Sequence, residues 1–138
     1  HRHMTQDTLA QAYLKKAAVR VRILDALLAE EAYSDVVREA QEAVELALKG
    51  ILRFLGVEPP KIHDVGSLIL ENTERLPSKV RSGAERMAEI SNWLRKEREF
   101  SFYGDTDLVP TEQYGVEDAN RAKDAAAFVV EQATIVIN

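Results

Sequence analysis

Apolar residues recur every three or four positions through four long segments of this chain, and no run of five or more residues alternates cleanly as a strand would. A helix face repeats every 3.6 residues and a strand face every two, so this period confines the chain to an all-α fold, a helical bundle. In the first segment, expected to be helical from about Thr8 to Ala32, Leu14, Ala17, Val21, Leu24 and Leu28 step by three and four. Ile23 and Leu27 widen that stripe, while Lys15, Lys16, Arg20 and Arg22 fall outside it. Ser34 or Asp35 is placed to cap a second helix with Ala40, Val44, Ala47, Leu48, Ile51 and Leu55 on its apolar face. Gly56 can close it in a left-handed turn, and Glu45 and Lys49 fall on the opposite side, one turn apart. The segment 57–63 breaks the period, because Pro59 and Pro60 remove two donors and force an extended path.

Asp64 can cap a short third helix, Val65 to Leu76, after which Pro77 and Ser78 reset the chain. The fourth helix follows, with Val80, Ala84, Met87, Ile90 and Leu94 inward and Gly104 as its stop. Asp105 to Gly115 reads as a polar loop containing Pro110. The last helix opens on Glu117 and Asp118 and buries Ala119, Ala122, Ala126, Val129, Ala133 and Val136, small residues that permit close packing. No internal repeat is read along the chain.

Length and composition narrow the remaining options. A chain of 138 residues, 46% hydrophobic, fits one domain able to bury a core without metals or disulfides. It has no cysteine, which rules out a disulfide scaffold, thiolate zinc sites and cysteine nucleophiles, and agrees with a cytoplasmic location. No apolar run approaches the ~18 residues of a membrane span, so no membrane partner is expected. His1-Arg2-His3 ahead of Met4 has the look of a cloning-tag remnant, which leaves a single domain over 4–138 and His63 as its one native histidine. The net charge of −5 opposes nonspecific adsorption along a phosphate backbone. Locally, however, seven basic residues lie between Arg75 and Arg98 against Glu85, Glu89 and Glu97. A solvated helix face is the common cause of such an excess.

Five of the nine aromatic residues fall between Trp93 and Tyr114, interleaved with Arg95, Lys96 and Arg98. A guanidinium is a planar donor fork suited to phosphate, and a neighbouring ring can stack on a base or on the guanidinium. The same residues also have a plainer role: cations in a last helical turn are favoured by ~0.3–1 kcal/mol, and Phe100, Phe102 and Tyr103 can close a core. Glu-x-x-His pairs, phosphate-binding glycine loops and the nucleophile elbow are absent, so neither metal nor cofactor is expected. His63 followed by Asp64 is an ordinary cap with a loop imidazole beside it. Glu45 and Lys49, in the favourable order, stabilise an exposed helix face by ~0.2–0.5 kcal/mol.

Taken in order, Ala40-Gln-Glu-Ala-Val-Glu-Leu-Ala-Leu-Lys49, Gly56, Pro59-Pro60 and His63-Asp64 are similar to the pattern of HEPN domains. That name stands for higher eukaryotes and prokaryotes nucleotide-binding. Glu97-Arg98-Glu-Phe-Ser-Phe-Tyr-Gly-Asp105, then Pro110, Tyr114 and an Ala-rich last helix, resembles the second half of prokaryotic members. The resemblance implies an up-and-down four-helix bundle with an additional short helix. It also implies a homodimer paired with a minimal nucleotidyltransferase in a toxin–antitoxin-like system, and a nucleotide or RNA ligand. Active members are metal-independent ribonucleases that carry an Arg and, a few residues on, a His. Here Arg98 matches the Arg, but Tyr103 stands where the His is expected and no His follows His63. A phenol of pKa ~10 is a poor proton acceptor at neutral pH, whereas an imidazole near ~6.5 is well matched. Active members also carry a tyrosine two residues beyond the His, a candidate target of the nucleotidyltransferase; Asp105 occupies that position. The expected ligand contacts are Arg95, Arg98, Tyr103, Asp105, Glu45 and Lys49, with Arg98 and Tyr103 the candidates for any catalysis. Two alternatives are a divergent ribonuclease toxin in which Tyr103 replaces the His, and a structural adaptor whose aromatic cluster is an interface.

Overall fold

The computed structural model describes residues 6–59, 61, 64–103 and 114–138, with residues 6 and 98–103 described by their backbone. Helices α1 (Gln6–Ala29) and α2 (Tyr33–Phe54) are joined by a three-residue turn. The expected continuation of α1 to Ala32 is cut short because Glu31 takes a left-handed φ of 59°. The amides of Glu31 and Ala32 then donate back to the carbonyls of Leu28 and Leu27, each at 3.0 Å. Nothing in the sequence marks this stop, since the residue is not glycine. The turn feeds straight into α2, whose N-cap is Ala32 with no side-chain hydrogen bond. Neither Ser34 nor Asp35 caps it: Ser34 is buried and Asp35 pairs with Arg38 at 3.8 Å within the first turn. At its other end α2 closes as expected. Gly56 has φ 80°, and the amides of Gly56 and Val57 reach Arg53 O and Leu52 O at 3.0 and 2.8 Å.

Helix α3 (Val65–Glu71) is capped by Asp64, whose Oδ1 accepts from the Gly66 amide at 3.0 Å. It is shorter than expected. The side chains of Asn72 and Thr73 donate back to Leu68 O and Leu70 O, both at 2.8 Å, and the chain tightens into a 3-10 turn, Thr73–Arg75, before the buried Leu76. The expected single fourth helix is two, α4 (Ser78–Arg81) and α5 (Ala84–Tyr103), divided at Ser82-Gly83. Its inward stripe is nonetheless as expected: Val80, Ala84, Met87, Ile90 and Leu94 are all buried. Helix α6 (Val116–Ile137) starts with Asp118 Oδ2 accepting from the Gly115 amide at 2.9 Å.

Helix α2 is the centre of the molecule, packed by α1, α6, α5 and α3. At Gly50 a Cβ would meet Ile137 Cδ1 and Tyr13 Cβ at 3.2 Å and Ala10 O at 3.3 Å, so the start of α1 meets the ends of α2 and α6. At the far end Lys123 of α6 pairs with Asp25 of α1. Helix α1 therefore runs antiparallel to both, and ring contacts described below set α5 antiparallel to α6. The bundle is all-α and up-and-down, with four long helices, and no strand occurs among the described residues. Ala119, Ala122, Ala126 and Ala133 are buried in α6 with Val129 and Val136, as the sequence pattern requires. One stripe residue is misplaced: Ile23 is 42% exposed and lies one turn from Val19, 39% exposed, so α1 carries apolar residues on its outer side too. Among the described residues no helix is long and apolar enough to cross a membrane.

Candidate ligand-binding site

The residues singled out in the sequence fall in two places. On α5, Arg95 is about one-third exposed; its Nη2 lies 3.6 Å from Asp64 Oδ2 and 3.4 Å from Asn92 Oδ1. Asp64 thus does two jobs, capping α3 with one oxygen and holding α5 with the other. Positions 98 and 103 continue α5 as helix. Position 98 follows Arg95 by one turn on the same side, and position 103 is about 140° further round the axis from 98. Asp105 and His63 lie outside the described residues, as do the side chains of Arg98, Phe100, Phe102 and Tyr103. Tyr114 is buried, and its hydroxyl donates to Glu97 O at 2.9 Å, tying the start of α6 to α5.

On α2, Glu45 and Lys49 are not on an exposed face opposite the core. Glu45 Oε1 accepts from Nε2 of the buried Gln41 at 2.8 Å, and its Oε2 lies 3.8 Å from Lys49 Nζ, with both ionic side chains about one-third exposed or less. Positions 41, 45 and 49 form a polar ladder along the rim of the apolar face. The partners of Glu45 and Lys49 lie on α2 itself, whereas Arg95 pairs with Asp64 and Asn92, so the expected set is divided between two helices.

A second cluster was not singled out in the sequence. Helices α5 and α6 touch only sparsely. The gap between them is a cleft of about 450 Å³ lined by Arg86, Glu89, Ile90 and Trp93 of α5 and by Arg121, Asp124 and Ala125 of α6. The Arg121 guanidinium lies 3.9 Å from the Trp93 ring centre, and the Arg86 guanidinium 3.9 Å from that of Phe128. Each contact of this kind contributes about 0.5–1 kcal/mol at an exposed site. Gly83 leaves room for Phe128, since a Cβ there would stand 3.1 Å from its Cζ. A second hollow, between α3 and α5, is lined by Asp64, Glu85 and Glu89 among others and, among the described residues, by no cation.

Fold and site define a small all-α bundle with basic and aromatic groups concentrated on one long helix. The HEPN domain pattern matches residues 10–137, nearly the whole chain, and the chain belongs to the HEPN domain family, a family of nucleotide- and RNA-related modules. No curated protein and no solved structure matches the chain.

Proposed function

We propose that this protein is a dimeric nucleotide- or RNA-binding module of the prokaryotic cytoplasm that acts with a minimal nucleotidyltransferase as a toxin–antitoxin-like pair, and that it lacks ribonuclease activity. The observation that carries the reading is the end of α5, in a chain whose family match spans 10–137. There Arg98 occupies the motif position while Tyr103 replaces the imidazole, so phosphate can be held but the proton acceptor suited to neutral pH is missing. Arg95 supports this role. Anchored by Asp64 and Asn92, it adds positive charge one turn before position 98.

Calorimetric titration of the purified protein with nucleotides and short RNA is expected to give salt-dependent binding that Arg98→Ala weakens at least tenfold, the order of a lost charge-assisted contact. Labelled RNA should remain intact with the native chain. Tyr103→His, which restores an imidazole, is expected to gain cleavage. Absence of any binding would sink the ligand half of the reading, and cleavage by the native chain but not by Arg98→Ala would favour the divergent ribonuclease instead. Copurification with the protein encoded by the neighbouring gene, together with light scattering, tests the nucleotidyltransferase partner and the dimer.

A further inference from the structure

Helix α1 carries a second stripe on the side away from the core. Ala12, Lys16, Val19, Ile23, Ala26 and Glu30 step by four and three, the spacing by which one helix pairs lengthwise with another. One flank of α1 is fastened to α2 by Arg20 and Glu39 at 3.8 Å and the other to α6 by Asp25 and Lys123, so the stripe between them faces outward. At its centre Val19 and Ile23 are exposed, and Ala26 is exposed beyond them. The other exposed large apolar residues among those described, Phe54, Leu70, Val116 and Ile135, fall singly on α2, α3 and the two ends of α6. Scattered single exposures are ordinary surface, whereas an adjacent pair set in such a seam marks a contact.

The charges along the stripe select what covers it. Lys15 and Lys16 precede Ile23 by eight and seven positions, and Glu30 and Glu31 follow it by seven and eight. All four are exposed, and among the described residues none is in an ion pair. Turned end for end, the face presents acid where it had base. A second α1 laid antiparallel therefore sets Lys16 opposite Glu30 at both ends, with Ile23 on the two-fold axis, whereas a parallel copy would oppose like charges. The exposed Arg22 borders the seam, about 60° round the helix from Val19, and keeps its guanidinium in water. A hollow of about 150 Å³, lined by Leu9, Ala12, Tyr13 and Lys16, opens at the basic end, where the α1–α2 turn of a second copy would lie. We propose that this face of α1 binds the same face of a second copy of the chain, antiparallel about Ile23. The inference rests on the dimer of the preceding reading and gives it a face. Helix α5 packs on α2 and α3 rather than on α1, so the contact does not run through the α5 end invoked above. A seam along 24 residues, about 36 Å, is smaller than the ~1,200–2,000 Å² of a standard interface, so the dimer dissociates reversibly.

Sedimentation equilibrium of the full chain at micromolar to millimolar concentration is expected to show a reversible monomer–dimer equilibrium. Ile23→Glu sets two like charges on the axis and should weaken it about a hundredfold or more, while the dilute monomer keeps its urea midpoint because the site is exposed there. Lys16→Glu and Glu30→Lys should each weaken it about tenfold, and the double variant should restore it, as crosswise pairing of the two positions requires. Leu70→Glu, equally exposed but on α3, should leave the equilibrium unchanged. If the native chain dimerises and Ile23→Glu does not shift it, the α1 face is refuted while the dimer itself stands on another surface. If the native chain stays monomeric at millimolar concentration, both fall. The antiparallel contact is also overturned if Leu70→Glu weakens the dimer as much as Ile23→Glu, or if the double charge reversal fails to restore it. Binding of an unlike protein at Ile23 by a chain that remains dimeric overturns it too.

Discussion

Leu48 shows how one side chain reports on the whole core. It has no exposed surface and sits on α2, the helix that touches nearly every other element. Leu48→Ala removes its methyl groups and leaves a cavity that surrounding helices can only partly fill, so urea denaturation should show a loss of about 2–5 kcal/mol. Residues of this kind were legible in the sequence, because small and branched apolar residues repeated at helical spacing mark a buried helix face. Single polar side chains were less legible. The Asp64 cap could be read locally, but its second oxygen on Arg95 depends on how α3 lies against α5, which no local pattern encodes. Glu45 gave the wrong side for a similar reason: the buried Gln41 draws it to the rim of the core, and a glutamine among apolar residues does not announce a buried partner.

The two helices that open the chain end in the same backbone motif with different residues at the left-handed position, Glu31 after α1 and Gly56 after α2. Substitutions at the two positions should act in opposite directions. Gly56→Ala forces a Cβ into a conformation disfavoured by about 1–2 kcal/mol and should lower the thermal midpoint. Glu31→Gly relieves the same penalty, partly offset by greater freedom of the unfolded chain, and should raise stability by a fraction of about 1 kcal/mol. Thermal unfolding of both variants beside the parent measures the difference. The stop after α2 was visible because glycine marks it, and the stop after α1 was invisible because glutamate does not. The division of α4 from α5 was likewise missed. Gly83 has its reason across the bundle, where Phe128 approaches, and a reason on another helix cannot be read from the residues beside it.

As a whole the bundle is held at one end by an ion pair that spans the chain, Lys123 of α6 with Asp25 of α1. The Asp25 carboxylate raises the Lys123 pKa above the usual lysine value, chiefly through their hydrogen bond. A raised pKa means the folded state favours the charged amine. Its contribution is therefore complete below the unfolded-state value and is lost as pH climbs through the folded-state value. Wild type should unfold slightly later than Asp25→Asn at neutral pH, and the gap should close above pH ~10.4. The class of architecture was legible at this scale, since period and length implied an all-α bundle, while its up-and-down order was implied by the family resemblance. The α5–α6 cleft was not legible, because the meeting of Arg86 with Phe128 and of Arg121 with Trp93 follows only once the two helices are known to run in opposite directions. Arg95, position 98 and the cleft residues Arg86 and Trp93 all lie on α5, which has neither proline nor glycine between Ala84 and Tyr103. Helices kink where such interruptions occur, so these 20 residues form a stiff rod about 30 Å long, packed on α2 and α3. Helix rise therefore sets the separation of Arg86 and position 98 along this rod at about 18 Å, with no hinge between them.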